Sequence, residues 1–292
     1  MTDVIERTEI PQPEVARALG DLLGAPAPEP GAGLPPLWHW VYLLDRAPQA
    51  DLGPDGHPVR GTLPAPPGPG RRRMWAGGRV RASGALRCGI PATKRTTVLS
   101  VTEKDGRSGH LTFVTVGVRV LQDGAVVVDE EQDIVYRDAA PAPAGSRAEP
   151  KAPPPVVPAG AGEREIEVSP ALLFRFSALT YNAHRIHYDR DYCRDVEGYP
   201  GLLTHGPLQA LSMAEAARAA RAADGAGSTG SHTGSSTGSH TGDVSFEYRL
   251  VSPLFDDQGL IVSAVPGPDG AIATAVRDRY GRRTATGTLR VF

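Results

Sequence analysis

The segment Phe176–Tyr192, FSALTYNAHRIHYDRDY, gathers the densest set of groups able to move or direct a proton. Asn182, His184, His187 and Asp189 stand close together there, directly after an apolar run. An imidazole with an ordinary pKa of ~6.5 exchanges protons in both directions near neutrality. An asparagine can only donate or accept hydrogen bonds. A little further on, GYPGLLTHGPLQA (Gly198–Ala210) leads into an alanine-rich helical pattern that opens at His205-Gly206-Pro207. Amides at a helix N-terminus have no intrahelical acceptor and sit at the positive end of the helix dipole, so this second feature suits a developing anion. A proton-exchanging cluster and an anion-holding amide are complementary parts. Taken by itself, His187 also reads as a core histidine satisfied by its neighbours. His184, His187 and Asp189 have a spacing compatible with a metal, but no distant set of ligands matches them.

The elements that must position these groups follow from pattern. Ser169-Pro170 is a helix start, with an N-cap serine and a proline in the first turn, leading into ALLFRFSAL. LQALSMAEAARAARAA forms the second and longer helix. Strands are read over Gly259–Val265, Ala271–Arg279 and Arg283–Phe292, preceded by the extended segment Val244–Asp257. The first part of the chain repeats this layout, with Thr96–Lys104, Gly109–Leu121 and Ala125–Arg137 preceded by Gly77–Gly89. Two copies of one domain are the expected reading. The helix of the first copy is expected at Leu34–Asp45, LPPLWHWVYLLD. Each copy then has one principal helix and an antiparallel sheet, an α+β arrangement in which the sheet curves round the helix, the hotdog plan. The Ala/Pro-rich stretch 139–163 reads as a linker between a first domain at 1–138 and a second at 164–292. Residues 224–242, a Ser/Thr/Gly/His tract containing His232 and His240, read as a solvated loop rather than a metal site.

Composition narrows the class. The 292 residues carry a formal net charge of −2, which argues against a general nucleic-acid binder. Gly and Pro number 34 and 28, too many for a mostly helical fold. Cys88 and Cys193 form no CxxC pattern, so neither a disulfide framework nor structural zinc is expected, and a reducing cytoplasmic setting is the default. MTDVIERTEI lacks the apolar run of a signal peptide, and no stretch approaches a membrane span. Arg71-Arg72-Arg73 is read as a solvated basic patch in preference to a phosphate site, and Trp38, Trp40 and Trp75 as packing residues.

Several motifs in order (LPPLWHWVYLL, DGHP at Asp55–Pro58, RRMWAGGR, GRSGHLTFVTV, QDIVYR, SALTYNAHRIHYD, GYPGLLTHGPLQA and SPLFDD) resemble the MaoC-like two-hotdog 3-hydroxyacyl-thioester dehydratases, with their mesaconyl-CoA and itaconyl-CoA hydratase relatives. The resemblance implies a tandem double hotdog that adds water reversibly to a 2-enoyl thioester of CoA or acyl carrier protein, with no metal or redox cofactor. It implies His187 as the acid and base, Asn182 as the group orienting the water, and the Gly206 N–H as the donor to the thioester oxygen. The family's usual acid is replaced by Asn182, so His187 would perform both proton transfers. A serine that some single-hotdog relatives place on the central helix falls on Ala214, with Ser212 nearby. The first half has no counterpart of Asn182 and His187 and is expected to complete the substrate tunnel without taking part in catalysis. Nucleic acid and membrane are not expected partners; a homodimer is compatible with the pattern. Two rivals stand beside this reading: a hotdog thioesterase, for which Glu215 is the acid on the early turns of the helix, and a non-catalytic acyl-thioester binder, which Asn182 would favour.

Overall fold

The computed structural model describes residues 4–59, 71–106, 109–138, 154–227 and 243–292. Strands β1 (Ile5–Glu9), β2 (Arg71–Ala82), β3 (Ala92–Gly106), β4 (Gly109–Gln122) and β5 (Ala125–Asp138) come from the first half. The second half supplies β6 (Glu163–Ile166), β7 (Val244–Leu250), β8 (Leu260–Pro266), β9 (Ile272–Arg277) and β10 (Arg283–Val291). The strands join antiparallel in one sheet of order β1-β3-β4-β5-β2-β7-β10-β9-β8-β6. Read inward from either edge, the same topology occurs twice, and β2 pairs with β7 where the two copies meet. This is a double hotdog of the α+β class.

Local chemistry explains the strands. In β4, buried Val114, Val116, Val118 and Val120 alternate with less buried residues, the period of a strand with one face inward. Asp123 and Gly124 close the β4–β5 hairpin with φ of 51° and 78°, the two positive angles a type I′ turn requires.

Helix α1 (Pro13–Leu23) follows β1 as α2 (Pro170–Leu179) follows β6, and the two helices pack against each other. Ser169 Oγ caps α2 by accepting from the Leu172 amide at 3.2 Å, and Pro170 stands in the first turn. The short α3 (Arg190–Asp195) precedes α4 (Gly206–Gly227), which lies on β8, β9 and β10. Its buried Leu208, Leu211, Met213, Ala214 and Ala217 join a core that also takes Trp38, Leu43 and Val80 from the first half. No helix among the described residues is long and apolar enough to cross a membrane.

The expected helix over Leu34–Asp45 is absent. Only a single 3₁₀ turn forms, Trp38–Val41, because Pro35 and Pro36 precede it and Leu37 and Leu43 both take positive φ (70° and 52°). Tertiary contacts replace helical ones: buried Glu130 on β5 accepts from Trp40 Nε1 and bonds His39 Nε2, both at 2.9 Å. The helical element of the first half is α1 instead. Two segment ends also shift. The expected linker ends where Glu163 opens β6, held by Arg277 at 2.6 Å, and α4 continues through 224–227 of the expected loop. The remainder of both segments, except 154–162, lies outside the described residues.

Candidate active site

After α2, the chain turns sharply. Tyr181 takes φ 51°, an uncommon conformation for a bulky residue, and the Asn182 amide donates back to Ser177 O at 2.8 Å. Asn182 Oδ1 accepts the His184 amide at 3.0 Å, a local turn that launches the 3₁₀ segment Arg185–His187. Asp189 then caps α3 by accepting the Tyr192 amide at 2.9 Å and takes Arg185 Nη2 at 2.7 Å. Ile186 O is held from two sides, by the Leu203 amide at 2.9 Å and Cys193 Sγ at 3.0 Å. These bonds lay the stretch leading into α4 directly against the His187 turn.

His187 is buried, and its Nδ1 bonds Leu203 O at 2.8 Å. Because a carbonyl can only accept, the proton of the neutral ring sits on Nδ1 and the Nε2 lone pair is left for chemistry. Burial lowers its pKa to about 4, partly opposed by the Leu203 carbonyl, so the ring is neutral at physiological pH. One face stacks on His205, with ring centres 3.5 Å apart. His205 is fully buried and bonds Ser177 Oγ at 2.9 Å through Nε2, while its Nδ1 has no hydrogen-bond partner among the described residues. Burial holds its pKa far below the usual imidazole range. Gly206 follows at the head of α4, where Pro207 brings no N–H and the first-turn amides lack helical acceptors. A Cβ on Gly206 would come 2.2 Å from Leu250 Cδ1, so glycine lets β7 close over the helix start.

The first half reaches into this cluster. Asp55 Oδ1 accepts the His57 amide at 2.9 Å, and its Oδ2 bonds His57 Nδ1 at 3.0 Å. The loop is docked by the Arg185 amide on Asp55 O (2.9 Å) and Arg185 Nη1 on Pro54 O (3.0 Å). His57 and His184 rings lie 3.8 Å apart, and His184 meets His187 edge-on at 5.5 Å. A row of imidazoles therefore runs His57, His184, His187, His205. Burial, then the charges of His57, His187 and Arg73, keep His184 well below the ordinary range. Burial also lowers His57, with Asp55 opposing and Arg73 reinforcing. Desolvation pushes Asp55 upward, but the His57 bond and the charges of His57 and Arg73 outweigh it and its pKa falls.

Asp55 and His57 are absent from the residues that the sequence singles out for chemistry, although DGHP stands out as a motif, and Arg73 is weighed there only with Arg71 and Arg72, as a phosphate site or a solvated patch. Arg72 and Arg73 are not part of a solvated patch either. Arg72 is largely buried in an ion pair with Glu197 at 2.7 Å, and Arg73, half-buried on β2, is near enough for its charge to lower the pKa values of His57 and His184. The trio His184, His187 and Asp189, whose spacing alone is compatible with a metal, does not assemble, since Asp189 is spent on α3 and Arg185. Asp55, His57 and His184 do offer ligand atoms within 4.8 Å of one another. They do not fit a cation: both carboxylate oxygens are engaged by His57, the two rings crowd each other with centres 3.8 Å apart, and Arg73 adds positive charge. The thioesterase reading loses its acid, because Glu215 is buried and accepts from Trp38 Nε1 at 2.8 Å and Arg218 at 2.6 Å. Ser212 is turned back on Leu208 O at 2.8 Å. Burial lifts the Cys193 thiol to about 11, which leaves it unreactive.

A double hotdog with a neutral buried imidazole beside a helix-opening amide has the parts of an enzyme that moves water on or off an acyl thioester. The sequence profile of hydroxyacyl-thioester dehydratase type 2 matches residues 37–256. The chain is 45% identical over 266 residues to the mesaconyl-C(4)-CoA hydratase of Chloroflexus aurantiacus, covering 87% of this chain and 86% of that protein. Among solved structures, a MaoC-like dehydratase from Phytophthora capsici superposes with a TM-score of 0.66 at 15% identity, over 100% of this chain and 95% of the other. HtdX of Mycobacterium tuberculosis does so with 0.64 at 14% identity over the full length of both. Those two likenesses concern the fold alone. The chain belongs to the hydroxyacyl-thioester dehydratase type 2 family, and it is a hydro-lyase acting on acyl thioesters.

Proposed function

We propose that this enzyme hydrates, reversibly, a short 2-enoyl-CoA of the mesaconyl-C4 type, with His187 as acid and base, Gly206 N–H as the oxygen-holding donor and Asn182 as the group that orients the water. The observation that carries the residue assignment is the Nδ1 bond of His187 to Leu203 O at 2.8 Å, which fixes the tautomer and exposes Nε2 as a base. Water gives a proton to Nε2 as its oxygen bonds the β-carbon. The π electrons move onto the thioester oxygen, held by the Gly206 amide, and the imidazolium then returns a proton to the α-carbon. The resting pKa of about 4 makes the ring a weak base, but the growing negative charge on the enolate favours its protonated form in the transition state. Asn182 takes no proton; its side-chain amide can hydrogen-bond the water, while Oδ1 already holds the His184 amide. The second half thus does the proton chemistry, and the carrier is coenzyme A in keeping with the 45% identical hydratase.

The test is the loss of ultraviolet absorbance as the conjugated enoyl thioester is hydrated. His187→Ala is expected to lower kcat by about 10²–10⁴-fold, the range for loss of a general acid–base group, with an unchanged circular dichroism spectrum. Full activity in that variant overturns the assignment.

A further inference from the structure

Arg73 is the residue that the reaction chemistry above leaves unused. It pairs in register with Tyr136 on β5, and its guanidinium bonds the Tyr136 hydroxyl. Trp75, two residues on and on the same strand face, packs into the core clusters, so Arg73 points inward as well. Arg72, on the opposite face, has a carboxylate partner in Glu197. Arg73 has none at ion-pair distance among the described residues, and Asp55, the acid of this region, has both oxygens engaged by His57. A partly buried guanidinium with no carboxylate in contact is costly; Asp55 acts on it only at longer range, and the nearby imidazoles, with depressed pKa values, cannot neutralise it. Such a cation is matched to an anion that arrives with the substrate.

The row of rings indicates which part of the substrate that is. A thioester with its carbonyl oxygen at the Gly206 amide and its β-carbon at His187 directs its β-substituents on along the row, towards His184, His57 and Arg73. In a mesaconyl-C4 thioester the β-carbon carries a methyl group and a second carboxylate. The phosphates of coenzyme A lie at the other end of the pantetheine arm and do not reach this point while the double bond is at His187.

We infer that Arg73, supplied by the first half, forms a carboxylate subsite beside His57 and His184, and that it selects 2-enoyl thioesters bearing an acid group on the β-carbon over plain alkyl ones. This rests on the hydration reading above and extends it to substrate class.

The experiment compares mesaconyl-C4-CoA with crotonyl-CoA, which has the same double bond and no second carboxylate. Arg73→Met is expected to lower the ratio of kcat/KM between the two substrates by roughly 100- to 1,000-fold, as when one member of a desolvated charge pair is removed. Arg73→Lys, which keeps the charge without the planar fork, is expected to give an intermediate ratio. Crotonyl-CoA turnover by the same preparations reports whether each variant is folded. A ratio unchanged by Arg73→Met overturns the subsite, including the case in which both substrates slow equally through disturbance of His57 and His184. A wild-type enzyme that hydrates crotonyl-CoA and refuses mesaconyl-C4-CoA overturns the subsite but leaves the hydratase standing. A wild-type enzyme inactive on both, in either direction, overturns the hydration reading itself.

Discussion

The two halves share a strand order and almost nothing else at the site. The second half keeps a long helix, α4, which opens on Gly206, the proposed oxygen-holding donor, and a turn that carries Asn182 and His187. In place of such a helix the first half has short 3₁₀ turns, at Trp38–Val41 and Gln49–Asp51, but its strands are longer, reaching 15 residues in β3 against 9 in β10. What it contributes is a loop, Gly53–Pro58, pressed against Ala183–Arg185, and one arginine on β2. Under the proposed function the two copies divide the work: one supplies the base and the oxygen donor, and the other adds His57 and Arg73, whose charges reinforce the burial that keeps His184 neutral.

The sharpest way to break this comparison is to lift the first-half loop away. Gly56 has φ +86°, and a Cβ there would come 1.9 Å from Ala183 O, a backbone atom of the turn that leads to His187 and cannot rotate aside. Gly56→Ala is expected to cost roughly 3–5 kcal/mol of stability and to reduce hydration steeply, read by thermal melting and the absorbance assay. Gly124→Ala in the same half makes the control: its φ is +78°, but nothing lies within 4 Å of the added methyl. That variant is expected to lose about 1–2 kcal/mol and no catalysis. Equal kinetic damage from both changes would mean that the first half acts only through overall stability.

Acid sharpens the same contrast, because the depressed histidines cluster where the halves meet. The His187 pKa is about 4 folded and ~6.5 in an unfolded chain, so between these values the unfolded state binds more protons. Its stabilising contribution is complete above pH ~6.5, declines as pH falls and is gone below about 4. At 1.36 kcal/mol per unit this amounts to ~3 kcal/mol, and His57, His184 and His205 act in the same direction. Melting temperature is therefore expected to fall between pH 6.5 and 4, and the acid limb of kcat/KM to lie near the lower value. His187→Gln should flatten the melting curve in this window. An acid limb at the ordinary imidazole pKa would show that the ring is solvated in the free enzyme.

The contrast between halves also marks what could be read in advance. Strands β3–β5 and β8–β10 were legible because β-branched alternation and Asp-Gly or Gly-rich turns are local signals. Helices α2 and α4 were legible for the same reason, from a Ser-Pro cap and an alanine-rich run. Leu34–Asp45 misled because its apolar residues are dense without being periodic. Each finds burial through a separate tertiary contact, and the prolines and positive-φ leucines prevent a helix. Helix α1 carried a usable signature that went unread: Pro13 in its first turn, Glu14 beside it and Gly24 as a left-handed cap. At the site, the residues within a few positions of His187 were visible and those of the first half were not. Nothing local to DGHP tells that its backbone will receive the Arg185 amide, 130 residues away in the chain by the separation of the neighbouring Pro54–Arg185 bond (131). Three adjacent arginines looked like one patch; strand alternation gave Arg72 an ion pair and Arg73 a view of the histidines.

The gentlest test concerns a direct hydrogen bond between the first-half turn and the body of α4. Trp38 is fully buried and donates Nε1 to Glu215 Oε1 at 2.8 Å, and Glu215 has Arg218 as its other partner. Trp38→Phe keeps most of the apolar contact and removes the donor. Because Arg218 still holds the carboxylate, the expected loss is about 1.5 kcal/mol, the lower end for a hydrogen bond to a charged group. Glu215 lies more than two turns along α4 from Gly206, so the helix start and the His187 turn, which are fixed by Leu203 and Ile186, should not move. Hydration of both test substrates should remain close to wild type while the denaturant midpoint falls. A large kinetic loss with little change in midpoint would reverse the division of labour, because the first half would then be positioning α4 for catalysis rather than merely packing against it.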